Sequence, residues 1–227
     1  VTRDRITLRG WYLPSDQDRR CIILIQGEEH HRNSPGIRAL ELGRDLAEQR
    51  FSVLLFDLRG RGESGGESGS AGNKELLDVL AAIDYVRRRG IASERIGLLG
   101  FSLGAVLAIY AAIEATSIPA IVCDSPFKDL LDDFRNMRLG PVPVPWRISA
   151  ALVVGTSKLL YGSDPSSMRP IRDIRRLEPR PVFFIHGQED TVVPPSDTLR
   201  LAERYQNPGN RAWLVPGATH VHSYATA

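Results

Sequence analysis

The stretch "LLGFSLGAVL", residues 98–107, joins a strand pattern directly to a helix pattern. The apolar run up to residue 99 predicts a strand that is buried on both faces, and the Ala-rich run over 105–112 favours a helix. Gly100 and Gly104 lie two residues on either side of Ser102, where side chains would clash as the chain folds back from strand to helix. The stretch therefore predicts a tight strand–turn–helix unit with Ser102 at its apex.

The same alternation of strand and helix patterns continues along the chain, which indicates an α/β protein with a mostly parallel sheet and helices on both faces. Asn73 is predicted to be the N-cap of the second helix. The predicted strands are Arg5–Leu13, Arg20–Gln26, Ser52–Asp57, Arg95–Phe101, Ala120–Asp124, Pro181–His186 and Arg211–Val215, and the predicted helices are Gly36–Gln49, Asn73–Arg89, Leu103–Glu114 and Ser196–Gln206.

The length of 227 residues fits one domain over 1–227, because α/β folds exceed the usual domain size without dividing. The alternation breaks over 127–178, where we expect a lid insertion with a helical piece over Trp146–Tyr161. Its apolar residues either pack over a pocket or contact a membrane surface; they are Ile148, Leu152, Val153 and Leu159.

Charge and composition narrow the classes of partner and compartment. The formal net charge of +2 is too small and too evenly spread to suggest nucleic-acid binding. No apolar run reaches the roughly 18 residues of a membrane span. The sequence begins at Val1, so an upstream anchor or signal peptide remains an open expectation, and the chain itself is expected to be cytoplasmic. Cys21 and Cys123 lie in apolar runs, which predicts buried free thiols.

A second Gly-x-Ser-x-Gly pattern, centred on Ser64, competes with that of Ser102. A strand must lead into a nucleophile-bearing turn and a helix must start at once, whereas no helical pattern follows Ser64 until about residue 73. The overlapping Gly-x-Gly-x-x-Gly pattern over 60–65 fails as a dinucleotide site for the same reason. We predict a structural loop at Ser64 and the functional serine at Ser102.

A nucleophilic serine needs a base and a carboxylate that orients the base. Asp190 and His220 each follow a predicted strand, and so belong at the carboxyl edge of the sheet where ligands bind. Asp124 remains an alternative acid and His222 an alternative base, while His186 is assigned a structural role. His30 and His31 lie beside two glutamates, Glu28 and Glu29, but their spacing matches no metal motif. We therefore favour a role as polar residues at the edge of the site over a role as metal ligands.

Nearly the whole chain resembles the α/β-hydrolase superfamily, in particular its esterase, lipase-like and acylaminoacyl-peptidase-like serine hydrolases. The resemblance rests on "LRGWYLP", "LLFDLRGRGES", "IGLLGFSLGA", "FFIHGQEDTVVP" and "VPGATH". It implies the α/β-hydrolase fold with a lid, and it implies Ser102 as nucleophile, His220 as general acid/base and Asp190 as the orienting carboxylate. By the same resemblance, the backbone N–H groups of Leu103 and Glu28 form the oxyanion hole.

Two departures from the family pattern stand out. Gln26-Gly27 stands where the family usually has His-Gly, which affects the loop that carries the Glu28 donor. The resemblance also implies an amphipathic helix after the His220 loop, whereas the sequence ends at Ala227. If that helix is missing from the molecule, we expect an exposed apolar edge that favours dimerisation; the oligomeric state itself is not predicted.

The reaction that these residues predict is cleavage of carboxylic esters through an acyl-enzyme, with a small acyl compound as substrate and no metal or organic cofactor. Three alternatives remain: peptide or amide cleavage, thioester hydrolysis, and a non-catalytic binding protein on the same fold. Acyl length and leaving group depend on the shape of the lid, which the sequence does not specify.

Overall fold

A computed structural model of the chain describes residues 1–15, 19–134, 138–139 and 142–227. Its strands are β1 (Gly10–Leu13), β2 (Cys21–Ile25), β3 (Ser52–Phe56), β4 (Ile96–Phe101), β5 (Ile121–Asp124), β6 (Arg138–Leu139), β7 (Val142–Pro143), β8 (Val182–Gly187) and β9 (Arg211–Val215). Its α-helices are α1 (Ala39–Glu48), α2 (Glu75–Arg88), α3 (Leu103–Glu114), α4 (Trp146–Tyr161), α5 (Pro170–Asp173), α6 (Pro195–Arg204) and α7 (Ser223–Thr226).

Seven strands form one sheet in the order β1-β3-β2-β4-β5-β8-β9. Only β1 is antiparallel to its neighbour, and the other six strands run parallel. The carboxyl ends of β4, β5, β8 and β9 therefore meet at one edge, because parallel strands all point the same way. This edge receives the segments that follow each strand, including those that carry Ser102, Asp190 and His220.

Helices cover both faces of the sheet, as the sequence predicts. On one face, buried residues of α2, α3 and α6 such as Ile83, Val106 and Leu201 form one cluster with the strands. On the other face, Ala39 at the start of α1 packs in a second cluster with Leu24, among others. The strands are buried on both sides, which is why they are continuous apolar runs rather than alternating ones.

Two local predictions are wrong. The first strand covers Gly10–Leu13 rather than Arg5–Leu13, because Arg5 has φ of 67° and donates its N–H to the carbonyl of Thr2 in a turn. Asn73 is not the cap of α2, whose first helical residue is Glu75. Its amide instead donates to the carbonyl of Asp164 at 2.9 Å, and so ties the start of α2 to the insertion.

In its described residues, the segment 127–178 contains α4, α5, the short strands β6 and β7, and three short 3₁₀ segments, Leu130–Phe134, Pro165–Ser167 and Ile174–Leu177. The bounds of α4 agree with the helical piece predicted over Trp146–Tyr161. Among the described residues, no helix combines the length and apolar character needed to cross a bilayer. α7 starts just after the His220 loop, and dimerisation through an exposed edge stays a prediction.

Candidate functional site

The Ser102 turn has the geometry that its sequence predicts. Ser102 has φ of 52° and ψ of −118°, a left-handed backbone conformation that a non-glycine residue adopts only when its surroundings enforce it. The enforcing contacts are close: a Cβ at Gly100 would overlap the carbonyl of Gly104, and a Cβ at Gly104 would overlap the carbonyl of Ile25. The N–H of Ser102 also donates to the carbonyl of Asp124 at 2.8 Å. The serine is thus held at the apex between β4 and α3.

Asp190 and His220 converge on this serine across the sheet edge. The Nε2 atom of His220 lies 3.0 Å from the Oγ of Ser102, and its Nδ1 atom lies 2.7 Å from the Oδ2 of Asp190. Since an ionised carboxylate only accepts hydrogen bonds, Nδ1 carries the proton and donates to Asp190, which leaves Nε2 free to accept the hydroxyl proton. Both distances lie within the range of a working hydrogen bond.

The carboxylate of Asp190 is buried but well supplied with donors. Its Oδ1 accepts the N–H groups of Val192 and Val193, each at 2.9 Å, and its Oδ2 lies 3.0 Å from Nε2 of His186. Burial by itself would raise the pKa of Asp190, but the hydrogen bonds from His186, His220 and Val193 outweigh it and hold that pKa well below its usual range. Asp190 is therefore ionised wherever His220 acts as a base.

Asp124, the alternative acid, lies at the end of the neighbouring strand and contacts other groups. Its Oδ1 accepts the hydroxyls of Ser125 and Ser223 at 3.0 and 2.9 Å, and its side chain is buried. Burial raises its pKa to about 6, against smaller lowering contributions from the two hydroxyls. Asp190, not Asp124, is the carboxylate hydrogen-bonded to His220 in this structure.

A cavity of about 260 Å³ opens beside the Ser102 hydroxyl. Apart from Glu28, its lining carries no charged side chain; the lining residues are Glu28, Gly69, Ala71, Ser102, Leu103, Phe127, Leu130, Val192 and Val193. Both residues that the sequence assigns to an oxyanion hole, Leu103 and Glu28, thus border the cavity next to Ser102. Leu103 is the first residue of α3, so its N–H has no carbonyl partner within the helix.

The sequence of this chain matches the family model for the alpha/beta hydrolase fold over residues 21–142, more than half of its length. The chain belongs to the α/β-hydrolase family. Two uncharacterised proteins are similar to it: Rv2307c of Mycobacterium tuberculosis is 31% identical over 222 residues, 96% of this chain and 70% of that protein, and YfhR of Salmonella typhi is 28% identical over 241 residues, 99% of this chain and 74% of that protein.

Solved structures give the same fold. The Pyrococcus furiosus esterase Pf2001 superposes with a TM-score of 0.77 at 27% identity, covering 98% of this chain and 82% of that one. Est1E of Butyrivibrio proteoclasticus, solved with ferulic acid bound, has a TM-score of 0.77 at 20% identity and covers 98% and 92% of the two chains. This hydrolase thus has an esterase, Pf2001, among its structural neighbours. The similarity to Est1E, at 20% identity, concerns the fold alone.

The competing residues of this hydrolase lie elsewhere or face away. The Ser64 hydroxyl donates to the carbonyl of Asp57 at 2.7 Å, which gives it a structural role. The Nδ1 of His222 pairs with Thr219 Oγ1 at 2.8 Å, so the alternative base is engaged outside the Ser102 contact. Within the described ranges, no three His, Cys, Asp or Glu side chains come together as a metal site, His30 and His31 included. Cys21 and Cys123 are free and buried, which confirms that prediction.

Two residues that support the site were not identified from the sequence. His186 was assigned only a structural role. Its Nε2 faces two acceptors, the Val193 carbonyl and Asp190 Oδ2, each at 3.0 Å, and therefore donates to them, while its Nδ1 lies 2.6 Å from Thr198 Oγ1. Its position four residues before Asp190 at a strand end was the available signal. Arg61 is buried, donates to the carbonyl of Glu28 and pairs with its carboxylate at 2.7 Å. Burial raises the pKa of Glu28, and Arg61 offsets part of that rise. No sequence pattern indicated this pair.

Proposed function

We propose that this hydrolase cleaves carboxylic esters through a serine acyl-enzyme, with Ser102 as nucleophile, His220 as general acid/base and Asp190 as the orienting carboxylate. The observation that carries the proposal is the unbroken hydrogen-bond chain from the Ser102 hydroxyl through His220 to Asp190. A nucleophile, a base and an orienting group in mutual contact are the arrangement that activates a weak hydroxyl nucleophile. Similarity to the Pyrococcus furiosus esterase supports esters as the substrate class.

In the first half-reaction, Ser102 Oγ bonds to the ester carbonyl carbon while its proton passes to Nε2 of His220. The carbon–oxygen bond to the alcohol then breaks, and His220 returns the proton to the departing alkoxide. In the second half, water attacks the acyl-enzyme, His220 takes the water proton, and the acid leaves as the Ser102 hydroxyl re-forms. Asp190 stays ionised throughout and stabilises the imidazolium, because its pKa is held low by its own donors.

The negative charge that develops on the carbonyl oxygen needs donors that face it. We assign this role to the N–H of Leu103, which lies at the positive end of α3, and to the N–H of Glu28. Arg61 contributes indirectly, since it holds both the carbonyl and the carboxylate of Glu28 and keeps that carboxylate away from the developing oxyanion. The insertion over 127–178 supplies Phe127 and Leu130 to the cavity wall, which is the contact expected of a lid.

The test uses nitrophenyl esters of graded acyl length, an aminoacyl amide and a thioester, together with labelling by a fluorophosphonate probe. Ser102→Ala is expected to lose about a million-fold in ester turnover, as serine triads do elsewhere, and to lose labelling. Ser64→Ala is the matched control, because it removes the hydroxyl from the same five-residue pattern, and it should keep both. Undiminished turnover in Ser102→Ala would overturn the assignment; labelling with preference for the amide or thioester would move the substrate class to those compounds.

A further inference from the structure

Helix α4 exposes one apolar stripe to solvent and attaches to the domain through its other side. Two of its serines are buried, Ser149 completely and Ser157 at 8% exposure, and Ser157 meets Ser163 through their hydroxyls at 3.3 Å. Ser163 in turn donates to the carbonyl of Ser70 at 2.6 Å. Surface helices of globular proteins normally bury their apolar stripe and expose the polar one. In α4 the inward side combines the two buried serines with the half-buried Ala150, Val153 and Val154, and a further apolar stripe is left on the solvent side.

The solvent side of α4 is apolar. Ile148, Leu152 and Leu159 are 53%, 51% and 84% exposed, and their spacing of four and seven residues places them on one stripe of the helix. With Leu160, at 63%, α4 holds four of the ten large apolar side chains that are exposed in the described part of the chain. Scattered exposed apolar residues are ordinary, whereas a contiguous stripe marks a surface that binds something.

The charges on α4 distinguish between a lipid surface and a second copy of the chain. The helix carries Arg147 and Lys158 and no acidic residue, and these two cations are eleven residues apart, or three turns, along one edge of the stripe. An antiparallel two-fold pairing of two such helices would place Arg147 beside the partner copy's Lys158, which is repulsive. Asp164 lies 2.8 Å from Lys158, but both side chains of this pair are at least partly exposed to solvent, which weakens the pair. Lys158 therefore still opposes a like charge, and Arg147 is the stronger of the two cations toward an anionic surface.

We propose that α4 docks this protein on anionic lipid surfaces, with Ile148, Leu152 and Leu159 inserted among the acyl chains and Arg147 at the headgroups. An apolar face bordered by basic residues is the composition of helices that lie in the plane of a membrane interface. The helix packs against the segment Leu130–Phe134, and Leu130 lines the cavity beside Ser102. Docking therefore places the cavity wall near the lipid. The proposal concerns binding and does not depend on the reaction proposed for Ser102.

The test is co-sedimentation of the full chain with vesicles of phosphatidylcholine and phosphatidylglycerol in equal amounts, with phosphatidylcholine vesicles as the neutral arm. The double variant Leu152→Ser/Leu159→Ser should lose about 100-fold or more in partitioning, since each leucine moved out of water contributes about tenfold or more. Arg147→Gln should lose about fivefold on the anionic vesicles only, the factor that corresponds to about 1 kcal/mol per basic residue. Turnover of a soluble ester without vesicles should stay unchanged in both variants.

Leu199→Ser is the matched control, because Leu199 is 46% exposed on α6, away from this stripe, and it should bind vesicles as the parent chain does. Equal binding by the double variant and the parent chain would overturn the proposal, as would the absence of binding by the parent. A parent dimer in light scattering that the double variant abolishes, without vesicle binding, would assign the stripe to a second copy. Loss of esterase activity in Ser102→Ala with vesicle binding intact separates this test from that of the proposed function.

Discussion

Ser64 and Ser102 occupy the same Gly-x-Ser-x-Gly pattern but differ in every hydrogen-bond partner. The hydroxyl of Ser64 donates to the carbonyl of Asp57 at 2.7 Å and accepts the N–H of Arg9 at 2.9 Å, so it joins the end of β3 to the approach to β1. The hydroxyl of Ser102 faces an imidazole at 3.0 Å. A serine bonded to backbone on both sides is a structural link, whereas one that faces a base is poised to lose its proton.

The flanking glycines also differ in what they permit. A Cβ at Gly62 would overlap the carboxylate of Asp57, and the φ of 52° at Gly62 favours glycine for conformational reasons. Around Ser102, glycines let backbone approach backbone, and the strained φ belongs to the serine itself. One loop uses glycine to wrap a buried carboxylate and the other uses it to hold a serine above a helix. The pattern of letters is the same, and the element that follows it decides the outcome.

Among variants that keep both serines, the largest effect should come from Asp190→Asn. The amide can still accept the N–H groups of Val192 and Val193, but it would present an N–H to His220, which then holds its proton on Nε2 and cannot accept that of Ser102. Ester turnover should fall about 10,000-fold, as in other triads with this change. Steady-state kinetics on a nitrophenyl ester measure the loss.

Asp124→Asn is the control for Asp190→Asn, since it also removes a carboxylate from a strand end, and its turnover should stay within about tenfold of the parent. The reverse ranking of the two variants would make Asp124 the orienting acid and would contradict the geometry of His220. A small carboxylate added to the solution should not restore the turnover of either variant, because both sites are buried.

A smaller effect concerns stability and pH at the same strand end. The pKa of Asp124 is raised by burial from 3.8 to about 6, so the folded state binds its proton more tightly and stability contributed by this group is lost as pH rises from about 4 through 6. The free energy of unfolding should fall by about 2 kcal/mol between pH 4.5 and 7 on account of this group. Urea titrations at pH 4.5, 5.5 and 7 measure it, and the fall should be smaller by that amount in Asp124→Asn.

Asp190 does not interfere with that measurement. Its pKa is lowered, so its contribution is present above its unfolded pKa and is lost only as pH falls below about 4. The difference between the parent chain and Asp124→Asn also cancels the contributions of the groups that both chains share. An identical pH dependence in the two chains would contradict a raised pKa at Asp124.

The sequence was most informative where local pattern and tertiary role coincide. The bounds predicted for α3 and α4 agree with the structure, because each apolar or small-residue pattern is continuous and each helix ends where the pattern ends. The convergence of Ser102, Asp190 and His220 was predictable from strand order alone, since each residue follows a strand and parallel strands deliver their carboxyl ends to one edge.

What failed depended on backbone angles and on contacts between distant segments. The positive φ of Arg5 places a turn where the pattern predicts the start of the first strand, which begins only at Gly10, and arginine gives no sign of this turn. Asn73 is a residue type that favours the N-cap position, yet its side-chain amide donates to the carbonyl of Asp164, which is 91 residues away in the sequence. The pairing of Arg61 with Glu28 and that of His186 with Asp190 arise in the same way, from loops that meet only once the sheet has formed.

Ser64→Ala should have the smallest effect of the series and makes the contrast between the two serines quantitative. It leaves the N–H of Arg9 and the carbonyl of Asp57 without their shared partner, but Ser64 is only partly buried, so water can replace much of what is lost. The free energy of unfolding should fall by about 1 kcal/mol, measured from the urea midpoint, with ester turnover within about twofold of the parent. A large loss of turnover at unchanged stability would mean that the two serines share the chemistry, because a purely structural link between β1 and β3 affects activity only by unfolding the chain.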